Sequence, residues 1–244
     1  MTKPTSHQYI GRDLEAMSFA ENYHRWIMSE LAVYVTGSVA EVGAGVGSVS
    51  SLLLELDIRR LDAFEPSVEM HAQLQSQLSN VPQAAAINAF FGADCQPASY
   101  NTVVYINVLE HIDDDSGELE RARHALAAGG HLLIFVPALS WLYGSVDREA
   151  GHFRRYTKHN LVRLVQNAGF EVVKARYFDI AGLLPWYVNF VLLKNPLGGG
   201  SVALYDKLVV PIMRSVERLV PLPFGKNVLL IARSPKSKAD FMRS

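Results

Sequence analysis

Glycines 43, 45 and 47 stand at alternate positions in Glu41-Val-Gly-Ala-Gly-Val-Gly-Ser-Val-Ser50, between an apolar run and a leucine-rich segment. Glycines at a strand-to-helix junction let the backbone come close to a ligand. The spacing departs from the Gly-x-Gly-x-x-Gly of dinucleotide sites, because Ser48 occupies the third glycine's place. Glu41, just ahead of the loop, would repel a pyrophosphate and attract an ammonium, so the expected ligand carries positive charge there. Glu65, in Phe-Glu-Pro66-Ser, is placed to accept both hydroxyls of a ribose, a feature shared with nicotinamide enzymes. Asp94, in Gly92-Ala93-Asp94, is placed to accept from an adenine amine. Two further groups offer acid-base chemistry: Asn107-Val-Leu-Glu-His111, and the stretch Trp141 to Tyr156 with His152, Arg154 and Arg155.

These residues need a scaffold, and the chain supplies a strand-helix alternation. Strands are expected at Val39–Val42, Leu61–Phe64, Ala84–Ile87, Thr102–Ile106 and His131–Val136, with helices at Ser48–Glu55, Ser67–Leu78 and Asp114–Ala127, the last ended by Gly129-Gly130. Such alternation implies an α/β, doubly wound, mostly parallel sheet covered on both faces. Seven strands are expected, the last antiparallel: helix Lys158–Asn167, strand Glu171–Tyr177 and strand Val228–Ala232 complete the set. The ligand residues then fall beyond the strands' carboxyl ends, where such sheets bind. Leu14, Met17, Ala20, Tyr23, Ile27, Leu31 and Val35 predict a leading helix over 12–35. The expected organisation is a single domain: a helical lid (1–36), a cofactor-binding core (37–178), a helical cap insertion (179–225), and a last strand with its tail (226–244). Within the insertion, Val202 to Val220 forms an apolar helical stripe, bent at Pro211.

With 244 residues, 49% hydrophobic, and a formal net charge of -1, the chain can bury a full core and lacks the basic field that a nucleic-acid partner requires. One cysteine, Cys95, permits no internal disulfide and no thiolate cluster, which fits a cytoplasmic location. The apolar stretch Ile180–Leu193 is too short to span a bilayer.

EVGAGVGSVS, FEPS, GAD, NVLEHIDDD, the segment Gly129–Pro137 and the late Asn167-Ala-Gly-Phe170 together resemble the ordered motifs of class I S-adenosylmethionine-dependent methyltransferases, over residues 39–178. The chain is most similar to the small bacterial methyltransferases that include the ubiquinone-biosynthesis O-methyltransferase type. The resemblance implies S-adenosylmethionine as cofactor. Glu41 with the backbone of Gly43, Ala44, Gly45 and Gly47 would hold its methionine part. Glu65 and Pro66 would take the ribose, Ala93 and Asp94 the adenine, Asn107 the amino group, and Leu109 with His111 the floor. Tyr9, Arg12 and Tyr23 would close over it from the lid.

A sulfonium methyl is already activated, so the protein must align an acceptor and remove a proton if that acceptor is a hydroxyl. His111, His152 and Tyr156 are the expected catalytic groups, with Trp141, Tyr143, Arg154 and Arg155 around a small-molecule, glycan-linked or lipid-linked acceptor. In the alternative reading of this loop, Asp147 pairs with Arg154 or Arg155 and Thr157 caps the next helix. A magnesium site from His111, Asp113, Asp114 and His152 is weighed but not expected, since Asp113–Asp115 reads more simply as an acidic first helical turn. The insertion would cap the pocket, form a homodimer interface or make peripheral membrane contact through 180–224. Competing functions are a nicotinamide-dependent oxidoreductase and a non-catalytic cofactor-binding protein.

Overall fold

The computed structural model describes residues 20–92, 95–195, 199–220 and 222–236. Seven strands form one sheet: β1 (Gly37–Val42), β2 (Ile58–Phe64), β3 (Ala84–Ile87), β4 (Tyr100–Ile106), β5 (Leu126–Pro137), β6 (Glu171–Phe178) and β7 (Asn227–Arg233). Their order is β3-β2-β1-β4-β5-β7-β6, with β7 antiparallel to both neighbours and β1 to β5 parallel. The central strands are continuous apolar runs because both faces of the sheet are covered. Alternate residues feed two cores: Val103, Tyr105, Leu132 and Ile134 face one, and Val104, Leu133 and Phe135 the other.

Two helices between the strands start at side-chain caps. Ser67 accepts from Met70 N–H at 3.4 Å before α3 (Val68–Leu78), and Asp114 from Gly117 N–H at 3.0 Å before α4 (Asp115–Ala125). The remaining early helices are α1 (Glu21–Leu31) and α2 (Ser48–Leu54).

Three expectations are corrected. The helix expected to run to Ala127 ends at Ala125, and Gly129-Gly130 lies inside β5 rather than capping a helix. The cause is long-range: Gly129 N–H donates to Ser234 O at 3.0 Å and Ser234 N–H to Gly130 O at 2.8 Å, so the segment after β7 recruits the glycines into the sheet. In the leading helix, α1 stops at Leu31 and a 3-10 turn, Ala32–Tyr34, follows; residues 12–19 lie outside the described residues. Tyr23 belongs to the core rather than to a lid over the glycine loop. Its ring packs on Phe135 and Phe178, and its hydroxyl donates to Asn227 Oδ1 at 3.0 Å.

The insertion comprises α7 (Leu183–Trp186), which runs into a π-helical turn (Tyr187–Leu192), α8 (Gly199–Leu208) and α9 (Val210–Leu219). α5 (Ser145–Glu149) and α6 (Lys158–Asn167) precede it. The expected bend falls at Val209, with Pro211 in the first turn of α9, where its missing N–H costs no helical bond. Asp206 accepts from the backbone N–H of Asn22 (3.0 Å) and Tyr23 (2.8 Å), and Glu217 from those of Asp179 (3.1 Å) and Ile180 (2.9 Å). These two acids fasten the insertion to α1 and to the exit of β6.

Candidate active site

β1, β2 and β4 end side by side, with Val42 opposite both Phe64 and Tyr105, so the segments that leave them converge. Gly43, Gly45 and Gly47 have φ of +67°, +58° and +96°. A Cβ at Gly43 would lie 2.6 Å from Val108 Cγ2. Glu65 straps the loop in place: its carboxylate accepts from Gly45 N–H and from Ser67 N–H, each at 2.8 Å. Pro66 stands between Glu65 and Ser67. Glu41 is buried beneath the loop, where Ser50 Oγ donates to it. Burial, with the charge of Glu65 adding and the Ser50 bond opposing, pushes the Glu41 carboxyl up to about 8. A buried acid held partly protonated in this way is suited to a cation, which would return it to its ionised form. Asn107 follows β4 with φ +54°, its N–H bonded to Phe135 O at 2.8 Å. The donor set therefore fits a ligand with an ammonium near Glu41 and a diol near Glu65. Leu109 is fully buried under the turn that follows. Tyr9, Arg12, Ala93 and Asp94 lie outside the described residues.

Across the strand ends, residues 138–157 fold back on the sheet. Tyr156 N–H donates to Pro137 O at 3.0 Å, Leu139 N–H to Tyr156 O at 2.9 Å, and Phe153 N–H to Glu110 O at 2.8 Å. The last bond brings His152 to His111, whose rings meet edge to face with centroids 4.5 Å apart. Asp147 organises the loop. It accepts from Arg155 Nε (2.7 Å) and Nη2 (3.0 Å) and from Gly144 N–H (2.8 Å), and it meets His152 Nδ1 at 2.8 Å. Burial pushes the Asp147 carboxyl up, but His152, Arg155 and the Gly144 amide outweigh it and hold it below the usual carboxylate range. The Arg155 guanidinium in turn lies over the Trp186 ring, 4.8 Å from its centroid.

Burial first, with His152 adding, drives His111 down to about 3, so it is neutral at physiological pH. Glu110 is fully buried, with no hydrogen-bond partner for either carboxylate oxygen among the described residues, and burial pushes it up to about 7 against the lowering influence of His152. One ligand atom each from Glu110, His111 and His152 lies within 4.8 Å of the others, a set able to hold a divalent cation.

The expected acceptor residues divide. His111 and His152 come together, and Tyr143 supports them by donating to His152 O at 2.7 Å. Trp141 is exposed beside Tyr187, ring centroids 5.6 Å apart. The other three spend their polar atoms on the protein. Arg155 forms the buried pair with Asp147, Arg154 pairs with Asp115 at 2.6 Å, and the buried Tyr156 donates to Asp115 Oδ2 at 2.9 Å and Leu109 O at 3.2 Å. Thr157 caps α6, accepting from Asn160 N–H at 3.1 Å. Asp113 is exposed and Asp114 caps α4, so neither joins the histidines. Sequence reasoning assigned no part to Ser50 and made Asp147 only an arginine partner. The signal for Ser50 was a buried strand-end acid that needs a donor from the next helix.

A family model described as a methyltransferase domain matches residues 14–175. The ubiquinone biosynthesis O-methyltransferase of Idiomarina loihiensis is 34% identical over 121 residues, which are 46% of this chain and 48% of that protein; the match thus spans about half the length of this curated relative. Among solved structures, Haemonchus contortus phosphoethanolamine N-methyltransferase 2, in complex with S-adenosyl-L-methionine, superposes with a TM-score of 0.64 at 14% identity over 95% of this chain and 59% of that one. The S-adenosylmethionine-dependent methyltransferase of Mesorhizobium loti gives 0.59 at 14% identity, over 91% and 100% of the two chains.

Proposed function

The chain belongs to the methyltransferase-domain family, and we propose that it moves the methyl group of S-adenosylmethionine to a hydroxyl oxygen of a small, glycan-linked or lipid-linked acceptor in the cytoplasm. The observation that supports a hydroxyl acceptor is the part-buried Asp147–His152 pair at 2.8 Å, held against His111 in the turn that follows β4. When bound, the cofactor supplies an activated methyl. Glu41 and the loop amides from Gly43 to Gly47 hold its methionine end, with Asn107 beside them. Glu65 and Pro66 take the ribose, and Ala93 and Asp94 the adenine. Leu109 backs the turn that carries His111, and Tyr9 and Arg12 cover the cofactor.

On the acceptor side, Asp147 holds the Nδ1 side of His152, which fixes the ring and leaves the other nitrogen to take the hydroxyl proton. Neutral His111 walls the ring and keeps water away. Trp141 and Tyr143 border the acceptor, while Arg154, Arg155 and Tyr156 hold the loop rigid. The O-methyltransferase relative supports a hydroxyl acceptor. An acceptor screen with a labelled methyl donor tests the reading: transfer to hydroxyl compounds, lost in His152→Ala, supports it, and transfer only to amines removes the need for this base.

A second reading is favoured by Glu110, whose carboxylate is buried without a hydrogen-bond partner among the described residues. In it, Glu110, His111 and His152 hold a divalent cation that polarises the hydroxyl. Turnover that vanishes with a chelator and returns with magnesium or manganese would favour this version; full turnover in the chelator would reject it.

A further inference from the structure

We infer that the outer face of the insertion docks on an anionic lipid bilayer, and that the acceptor reaches the site from that surface. The second clause rests on the methyl-transfer reading; the docking does not. Of the seventeen large apolar side chains that are exposed among the described residues, eleven lie between Leu184 and Phe224. On α9, Val210 faces the core, while Ile212, Val216 and Leu219 share another face at 65%, 44% and 83% exposure. On α8, Leu204 and Leu208 sit one turn apart and are 61% and 56% exposed. An apolar face of this extent calls for a covering surface.

Charge identifies what covers it. The acids of the insertion point inward: Asp179, Asp206 and Glu217 are buried and engaged with Lys226, with α1 and with the β6 exit respectively. Its remaining charged residues, Lys194, Lys207, Arg214 and Arg218, are cations without an ion-pair partner among the described residues. The chain as a whole carries a formal net charge of -1, so this separation of sign is local. Apolar side chains fringed by unpaired cations match the acyl boundary and phosphate layer of an anionic membrane. A second copy of the chain would set these cations against each other. No helix among the described residues is long and apolar enough to cross a membrane, so the face lies on the bilayer.

The face also connects to the chemistry. Trp186 Nε1 donates to Leu142 O at 3.1 Å, and Ser145 Oγ to Phe190 O at 3.1 Å, which joins α7 and the π-helical turn to the loop that carries His152. A lipid-linked hydroxyl held at the interface would thus be delivered beside that loop.

The test is co-sedimentation of the full chain with phosphatidylcholine vesicles, with and without phosphatidylglycerol, with S-adenosylhomocysteine binding measured on the same samples. Expected is binding to the phosphatidylglycerol vesicles that high salt releases. It should fall about tenfold or more in Ile212→Glu/Leu219→Glu and in Arg214→Gln/Arg218→Gln, while cofactor affinity stays unchanged. No sedimentation by wild type that still binds the cofactor would overturn the docking and leave methyl transfer standing. A dimer by analytical ultracentrifugation that Leu219→Glu dissolves would overturn it in favour of a second copy. Vesicle binding by a protein that binds no adenosyl ligand would keep the docking and remove the acceptor-delivery clause.

Discussion

The two halves of the site are built by different means. The proposed cofactor half is a backbone cradle: β1, its glycine loop and Glu65 at the next strand end hold one another through backbone amides, and Glu41 is buried beneath them. The proposed acceptor half is held by side chains, with Asp147 and Arg155 buried against each other, Trp186 from the insertion over Arg155, and His152 against His111. A backbone cradle tolerates change in everything except glycine and acid positions. A side-chain network can be refitted to a new acceptor, but removing one member leaves a buried charge unpaired.

The largest effect that separates the halves is expected from His152→Ala. Turnover should fall ~10²- to 10⁴-fold, the usual contribution of a positioned base, with S-adenosylhomocysteine affinity unchanged. Equal loss of both in calorimetry and steady-state kinetics would merge the halves. Next, Asp147→Ala strands a buried guanidinium and should cost ~3–5 kcal/mol in urea unfolding, with Asp147→Asn milder. A wild-type midpoint would mean that the loop is not held by this pair. On the other side, Gly43→Ala must take φ +67° and push its Cβ against Val108. Left-handed backbone alone costs ~1–2 kcal/mol for such a residue, so cofactor affinity should weaken by about that much or more. Unchanged affinity would free the loop from its conformational requirement.

The smallest effect is a pH dependence. The Glu41 carboxyl, raised to about 8 in the free protein, must be ionised to face an ammonium. Bound cation therefore lowers its pKa, and binding near neutrality releases a proton. Affinity should fall as pH drops below about 8, by up to about tenfold per unit while the bound form stays ionised. The same raised pKa makes folding of the ligand-free protein less favourable as pH rises toward 8. Titrations at several pH values check the binding trend, which Glu41→Gln should flatten; an identical slope in that variant would assign the proton elsewhere.

The legibility of the sequence follows the same division. Ala84–Ile87 and Lys158–Asn167 were readable to the residue because they are short runs bounded by turn or cap signals. Gly129-Gly130 misled, since a helix stop and a sheet irregularity look alike until Ser234 is known to pair with them. For the site, Glu41, the glycines and Glu65 were readable because strand ends and their spacing suffice to place them. The engagement of Arg154 and Tyr156 with Asp115, and of Arg155 with Asp147, was not legible to the same degree because packing chooses these partners. The inward turn of Asp206 depends on where α1 docks and that of Glu217 on the exit of β6, and with them the cationic outer face; no local pattern encodes either.

The most direct measurement is calorimetric titration of the purified protein with S-adenosylmethionine, S-adenosylhomocysteine and NADH in parallel. Micromolar binding of the two adenosyl ligands, with none for NADH, is the expected result. NADH binding alone would mean that the loop from Glu41 to Ser50 holds a pyrophosphate, and would contradict both the charge assigned to Glu41 and the methyl-transfer chemistry built on it.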